Sequence, residues 1–278
     1  MPEPGLSLVG FLGQPEAATY FSQSCMLAND PISTWQEARD KIGAPLPRAG
    51  VPEIEHIPSS YNVYLQGVEA SPRFADTVAS LAWSFKLVEV DPLIAFQFHI
   101  FKNRASTLWA SMGDDDPRDI DRLLGICLPH TLEDVPFKVA GLPNSLMIEA
   151  ASPNLRLLGA GIFGADPTQR QFAGAVFGVS SPLVQVVRFG GRCYLKNGYH
   201  RVYAARMAGV THLPCILLET ADYTHVGALA PGFFERSILE SENPPTMGHF
   251  SQGRAYDVML KGIRRVITLS WSEYSLPE

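Results

Sequence analysis

Lys196-Asn197-Gly198-Tyr199-His200-Arg201 brings an ammonium, an amide, a glycine, an imidazole and a guanidinium into one short run. If the run opens a helix, its first N–H groups are unpaired and its end carries partial positive charge. A glycine there lets a ligand approach the backbone, so the favoured chemistry is the holding of a phosphate. Gly198 and Tyr199 would offer amides, His200 and Arg201 charge-assisted hydrogen bonds, and Lys196 and Arg206 longer-range attraction. Charge along the chain agrees. Between Pro167 and Leu218 there is no Asp or Glu, but there are six basic residues: Arg170, Arg188, Arg192, Lys196, Arg201 and Arg206. At the chain's average composition that length would carry about five acids. A buried sheet with solvated basic edges would give the same pattern, because strands are poor in acids.

The elements that must position this run lie between Leu183 and Glu219. Val184, Val186 and Phe189 are apolar and β-prone, Gly190-Gly191 suits a tight primed turn, and Cys193 to Leu195 starts the return strand. A short helix follows Asn197-Gly198. Tyr199, Val202, Ala205 and Ala208 recur at three-residue steps and predict one buried stripe, and Gly209 stands where a left-handed residue ends a helix. Leu213 to Leu218 is an apolar run short enough for a buried strand.

Tyr194 to Arg201, the helix Val202 to Gly209, and Leu213-Pro214-Cys215-Ile216 together resemble the ParB N-terminal and sulfiredoxin-like superfamily. There a hairpin leads into a glycine-containing turn, a helix opening with His-Arg or Arg-Arg, and a strand beginning near a proline. A second likeness, Leu87 to Gln97, is to the opening strand of ParB-type domains. Gln97 is retained from that box, and His99 stands where an arginine is expected. The good match covers residues 183–219.

The resemblance implies an α+β fold, a small mixed sheet with flanking helices. It implies a phosphate-bearing ligand, a nucleotide first and a nucleic-acid backbone (DNA included) second. A nucleoside triphosphate with magnesium would be the cofactor, and phosphoryl transfer or nucleotide or nuclease hydrolysis the reaction. Gln97, Lys196, Asn197, Gly198, Tyr199, His200, Arg201 and Arg206 would bind the ligand. Glu89, Asp91 and His200 would do the acid–base or metal-holding work, provided the upstream strand lies beside the helix start. Three departures narrow this. Tyr199 replaces the reactive cysteine of sulfiredoxins, Asn197 replaces an aspartate common in the superfamily, and no helix-turn-helix follows Glu219. Sulfiredoxin chemistry and chromosome partition are therefore disfavoured. The competing class is a non-catalytic protein-interaction module in which His200 and Arg201 bind the protein's own loops.

The chain has 278 residues, 46% of them hydrophobic and 18% charged, which bounds it to a globular protein of one large domain or two small ones. A net charge of −6 argues against general nucleic-acid coating but allows one local basic site. No apolar run approaches membrane-spanning length, and the Met1-Pro2-Glu3-Pro4 start lacks the pattern of a signal peptide. Cys25, Cys127, Cys193 and Cys215 form no CxxC pair, which suits a reducing cytoplasm.

We expect residues 1–65 to be an extension, 66–220 the core, and 221–278 a second extension packing on it. Pro15 to Met26 and Ser33 to Ile42 read as helices, the latter with Ser33 as N-cap. Ser71-Pro72 opens another, continuing to about Trp83, before a strand Phe85 to Val90. The acidic stretch 113–121 reads as a helix start, with Asp116 as cap and Pro117 as first residue. Val135 to Val139 and Leu146 to Glu149 form a hairpin. Gly159-Ala160-Gly161-Ile162-Phe163-Gly164 matches GxGxxG formally, but Pro167 comes too soon for the helix a dinucleotide needs, so a sharp turn is expected. Pro231 to Glu240 reads as a helix. Arg264 to Trp271 reads as a final strand that joins the main sheet or covers its edge. The seven histidines lack zinc-ligand spacing.

Overall fold

The computed structural model describes residues 2–26, 30–78, 81–110, 116, 118–130, 137–150, 155–165, 171–179, 182–229, 232–262 and 265–273. The protein is α+β, as expected. Contacts divide it into two units: Met1–Thr131 with Pro182–Lys261, and Leu132–Ser181 with Gly262–Glu278. Residues 1–65 and 221–261 thus fall in one unit with residues 66–131 and 182–220, while residues 132–181 of the expected core fall in the other.

In chain order the larger unit begins with β1 (Glu3–Ser7), α1 (Gln14–Ser24), β2 (Cys25–Met26), α2 (Pro31–Ile42) and β3 (Ile54–Glu55). It continues through α3 (Asn62–Glu69), α4 (Pro72–Val78), β4 (Ala82–Glu89), β5 (Ile94–Ala95), β6 (His99–Phe101), α5 (Lys102–Ala110) and α6 (Ile120–Cys127). The smaller unit interrupts it with β7 (Phe137–Leu142), β8 (Ser145–Ala150), β9 (Leu155–Ala165) and β10 (Gln171–Val179). The larger unit resumes with β11 (Gln185–Phe189), β12 (Arg192–Asn197), α7 (Tyr199–Met207), β13 (His212–Glu219), α8 (Arg236–Leu239), α9 (Met247–Ser251) and β14 (Tyr256–Leu260). The smaller one closes with β15 (Arg265–Ser270).

The larger unit holds a six-stranded mixed sheet in the order β3-β4-β13-β11-β12-β5. β11 and β12 form the expected hairpin, and both turn glycines are left-handed, Gly190 at φ +56 and Gly191 at φ +78. That is the conformation whose twist matches the flanking strands. β13 returns parallel to β11, and its six residues Leu213 to Leu218 are buried, as an apolar run with no alternation requires. A second sheet, β2-β14-β1-β6, is antiparallel. Tyr194, Tyr199, Phe234 and Phe250 are among the largest fully buried side chains of the unit.

Several boundaries differ from the sequence reading. Asp30, not Ser33, caps α2, accepting from the N–H groups of Ile32 and Ser33, each at 3.0 Å. Pro31 thereby takes the first helical position. Trp83 lies in β4 rather than closing the preceding helix. Asp119, not Asp116, caps α6, accepting from Asp121 N at 3.0 Å, while Asp116 accepts from Arg118 N in the turn before it. Pro117, Val135, Arg170 and Arg264 lie outside the described residues.

In the smaller unit, β7 and β8 form a hairpin turning at Pro143-Asn144, with Asn144 at φ +57. The glycine-rich stretch is not a turn. It lies within β9 and pairs with β10 through two register shifts, with Gly161 opposite Gly174 and Ala160 opposite Ala175. The final strand β15 does not join the main sheet; it pairs with β8 in the order β15-β8-β7.

Candidate functional site

The head of α7 is built as the sequence suggests, but its groups turn inward. Gly198 is left-handed at φ +104, and a Cβ there would lie 2.8 Å from Val184 Cγ2. The missing side chain makes room for a valine. Tyr199 is 2% exposed, and its hydroxyl accepts a hydrogen bond from Phe96 N at 2.9 Å. His200 Nε2 accepts from Phe101 N at 3.1 Å, and its ring stacks on that of Phe101 at 6.0 Å. Burial first, then the neighbouring Arg104, His99 and Arg201, lower the His200 pKa to about 4. The imidazole is therefore neutral at neutral pH and acts as an acceptor. Arg201 Nη1 donates to the Pro182 carbonyl, and Asn197 Nδ2 donates to the Leu183 carbonyl at 2.9 Å. Four side chains within five positions thus each engage a main-chain group of another segment.

The basic segment is accounted for in the same way. Arg188 pairs with Glu219 at 3.0 Å, and Arg192 donates to the carbonyls of Leu239 and Ser241 at 3.2 and 2.9 Å. Arg206 pairs with Asp91. Lys196 is the exception. It is half-buried, burial alone lowers its pKa, and its ammonium has no hydrogen-bond or ion-pair partner among the described residues. Its stem runs beside Gly227, where a Cβ would meet Lys196 Cε at 3.6 Å. Gln97 lies at the same end of the sheet, because β5 runs parallel to β12, and its backbone bridges to Phe233.

Glu89 and Asp91 are not beside the helix start. β13 runs antiparallel to β4, which sets Glu89 opposite His212, beyond the C-terminal end of α7. Asp91 bonds Arg206, six residues or about 9 Å of helix rise from His200, so the structure does not bring Glu89, Asp91 and His200 together as the expected catalytic set. Glu89 instead accepts two bonds from Arg48 Nη2, at 2.6 and 2.7 Å, and one from Glu53 N at 3.0 Å. Asp91 receives Arg206, Ser251 at 3.0 Å and Gln252 at 3.2 Å. Burial would raise the Asp91 pKa, but the bonds and charge of Arg206, with Ser251 and Gln252, outweigh it and hold the carboxyl below its usual range. Sequence could not signal these partners, since Asp91 and Ser251 stand 160 positions apart.

One group among the described residues could hold a divalent ion. Donor atoms of Glu53, Glu55 and His212 lie within 4.8 Å of one another. His212 Nε2 is buried without a hydrogen-bond partner, 3.9 Å from Glu53 Oε2, while Arg48 already takes Glu53 Oε1 at 2.8 Å. On its other side, Thr211 Oγ1 lies 3.1 Å from His212 Nδ1.

The fold and this site define an α+β protein whose glycine-led helix start is engaged by the protein's own main chain. No protein-family model, curated protein or solved structure matches the chain.

Proposed function

We propose that the chain is a non-catalytic protein-interaction module built on a ParB/sulfiredoxin-like arrangement, with the head of α7 serving as its internal clamp. The observation that carries this reading is the inward use of Asn197, Tyr199, His200 and Arg201, each bonded to a neighbouring segment. The distance of Glu89 and Asp91 from that head supports it, since phosphoryl transfer or hydrolysis there would lack a carboxylate base or metal ligand.

A second reading keeps a phosphate-bearing ligand, nucleotide or nucleic-acid backbone, at the same helix start. Its support is Lys196, a cation without a partner among the described residues, next to a helix end with no side-chain cap. One experiment separates the two: thermal unfolding with nucleoside triphosphates, with and without magnesium, for the native chain, Arg201→Ala and Lys196→Gln. The module reading expects no nucleotide-dependent shift, and a loss of about 1–3 kcal/mol in Arg201→Ala from the carbonyl left unpaired. A shift that disappears in Lys196→Gln would replace it with the phosphate reading.

A further inference from the structure

A cavity of about 500 Å³ opens in the larger unit, a volume within the range of small-molecule sites. α1 contributes Glu16 and Tyr20, one helical turn apart; Phe98 precedes β6 and His99 opens it, and Phe233 and Glu235 come from the approach to α8. No lysine or arginine lines it among the described residues. Glu16 and Glu235 are exposed, and neither carboxylate has a hydrogen-bond or ion-pair partner among the described residues. Tyr20 is buried, with its hydroxyl 3.3 Å from His99 Nδ1. Burial, then Arg104, lowers the His99 pKa to about 4, so the imidazole adds no positive charge at neutral pH. The walls therefore carry two negative charges and three aromatic rings among aliphatic and neutral polar residues such as Leu12, Ile238, Thr19 and Gln23. An anion is repelled there, whereas a cation meets two unpaired carboxylates and three π systems.

We propose that this cavity binds a small organic cation, an ammonium group carried on an apolar or aromatic body. The Glu16 and Glu235 carboxylates hold the ammonium, and Tyr20, Phe98 and Phe233 pack against the body. None of these residues belongs to α7, so the inference stands or falls apart from the reading of the helix start.

The test is calorimetric titration of the full chain with tryptamine, with phenyltrimethylammonium, and with indole-3-acetate as the anionic counterpart. Glu16→Gln/Glu235→Gln is titrated alongside; both positions are exposed, and an unchanged melting curve checks that the variant folds. The expected result is saturable binding of a cation, none of the acid, and about tenfold weaker binding by the double variant. The proposal is overturned if the acid binds as well as the amine or if the double variant binds the amine unchanged. It is equally overturned if neither cation saturates at millimolar concentration.

Discussion

Arg206 and Asp91 face each other as a two-bond fork, Nε to Oδ1 and Nη2 to Oδ2, both at 2.9 Å. The pair joins the last turn of α7 to the turn after β4, and Asp91 reaches further. Its carboxylate also accepts from Ser251 and Gln252, and its carbonyl accepts from Gly248 N at 2.9 Å. One residue thus ties α7 to α9 through the end of β4. The two side chains are 27% and 23% exposed, so the fork is shielded enough for its geometry to matter.

Asp91→Asn should destabilise the chain by about 2 kcal/mol, with an Asp91/Arg206 coupling of about 1–3 kcal/mol in a double-mutant cycle. The sign of the pH effect follows from the lowered Asp91 pKa. Its contribution is fully present above the unfolded carboxylate value and is lost as pH falls through the lower folded value. Urea unfolding from neutral to acid pH should therefore show the gap between native and variant closing below about pH 4. A gap independent of pH would mean that the fork carries no net charge interaction.

Gly198 and Gly190 are both left-handed, yet substitution should separate them. Gly198 sits at φ +104 with Val184 Cγ2 at 2.8 Å and Val184 Cα at 3.4 Å from an added Cβ, so Gly198→Ala meets both strain and a clash. Gly190 at φ +56 has nothing within 4 Å of an added Cβ. Gly198→Ala should cost about 2 kcal/mol or more, and Gly190→Asn less than about 1 kcal/mol, since asparagine tolerates that conformation. Chemical denaturation of the two variants decides it; equal losses would contradict the packing of Val184 against the helix head.

The hairpin, helix and strand between Leu183 and Glu219 were legible because their determinants are local: a glycine pair, a three-residue apolar step, an unbroken apolar run. β1 was not. Glu3-Pro4-Gly5-Leu6-Ser7 has poor strand propensity and is a strand because Tyr256 to Leu260 lies along it, with Glu3 opposite Leu260. The glycines of β9 were misread for a related reason. They look like a turn alone, but the ladder with β10 sets Gly161 opposite Gly174 and Gly159 opposite Val176. At the site, the residues of the helix head could be named from sequence. The placement of Glu89 could not, because it depends on the antiparallel β4–β13 register, which no local pattern encodes.

The thiols of Cys25, Cys127, Cys193 and Cys215 are all free and buried. Burial pushes the Cys127 pKa up to about 12 and the other three above the ordinary thiol value. Thiolate is the reacting species, so a disulfide reagent at mildly alkaline pH should label the native chain slowly and label all four thiols promptly in denaturant. Rapid labelling of a native thiol would show that its strand or helix opens locally.

The sharpest pH response should come from histidines rather than carboxylates. His99, His200 and His249 are each lowered to about 4, with burial the largest cause and nearby arginines adding to it. In the unfolded chain each would titrate near the ordinary value of about 6.5. A lowered folded value means that the native state refuses protons that the unfolded state takes. The resulting stability is whole above about pH 6.5 and drains as pH falls toward about 4. Three such groups near pH 5 give a slope of about 3–4 kcal/mol per pH unit. His200→Gln should remove about a third of that slope, because it deletes one refusing site while leaving an acceptor for Phe101 N. His249 should behave like the others, since its Nδ1 accepts from Thr246 N at 3.1 Å and its buried Nε2 lies in a ring packed edge-on to Phe11 at 4.9 Å. Ring resonances of these three followed by NMR from neutral pH to about pH 5 should stay at their neutral positions. Midpoints near the unperturbed value would show that the rings reach water, and in the case of His200 that the head of α7 is open.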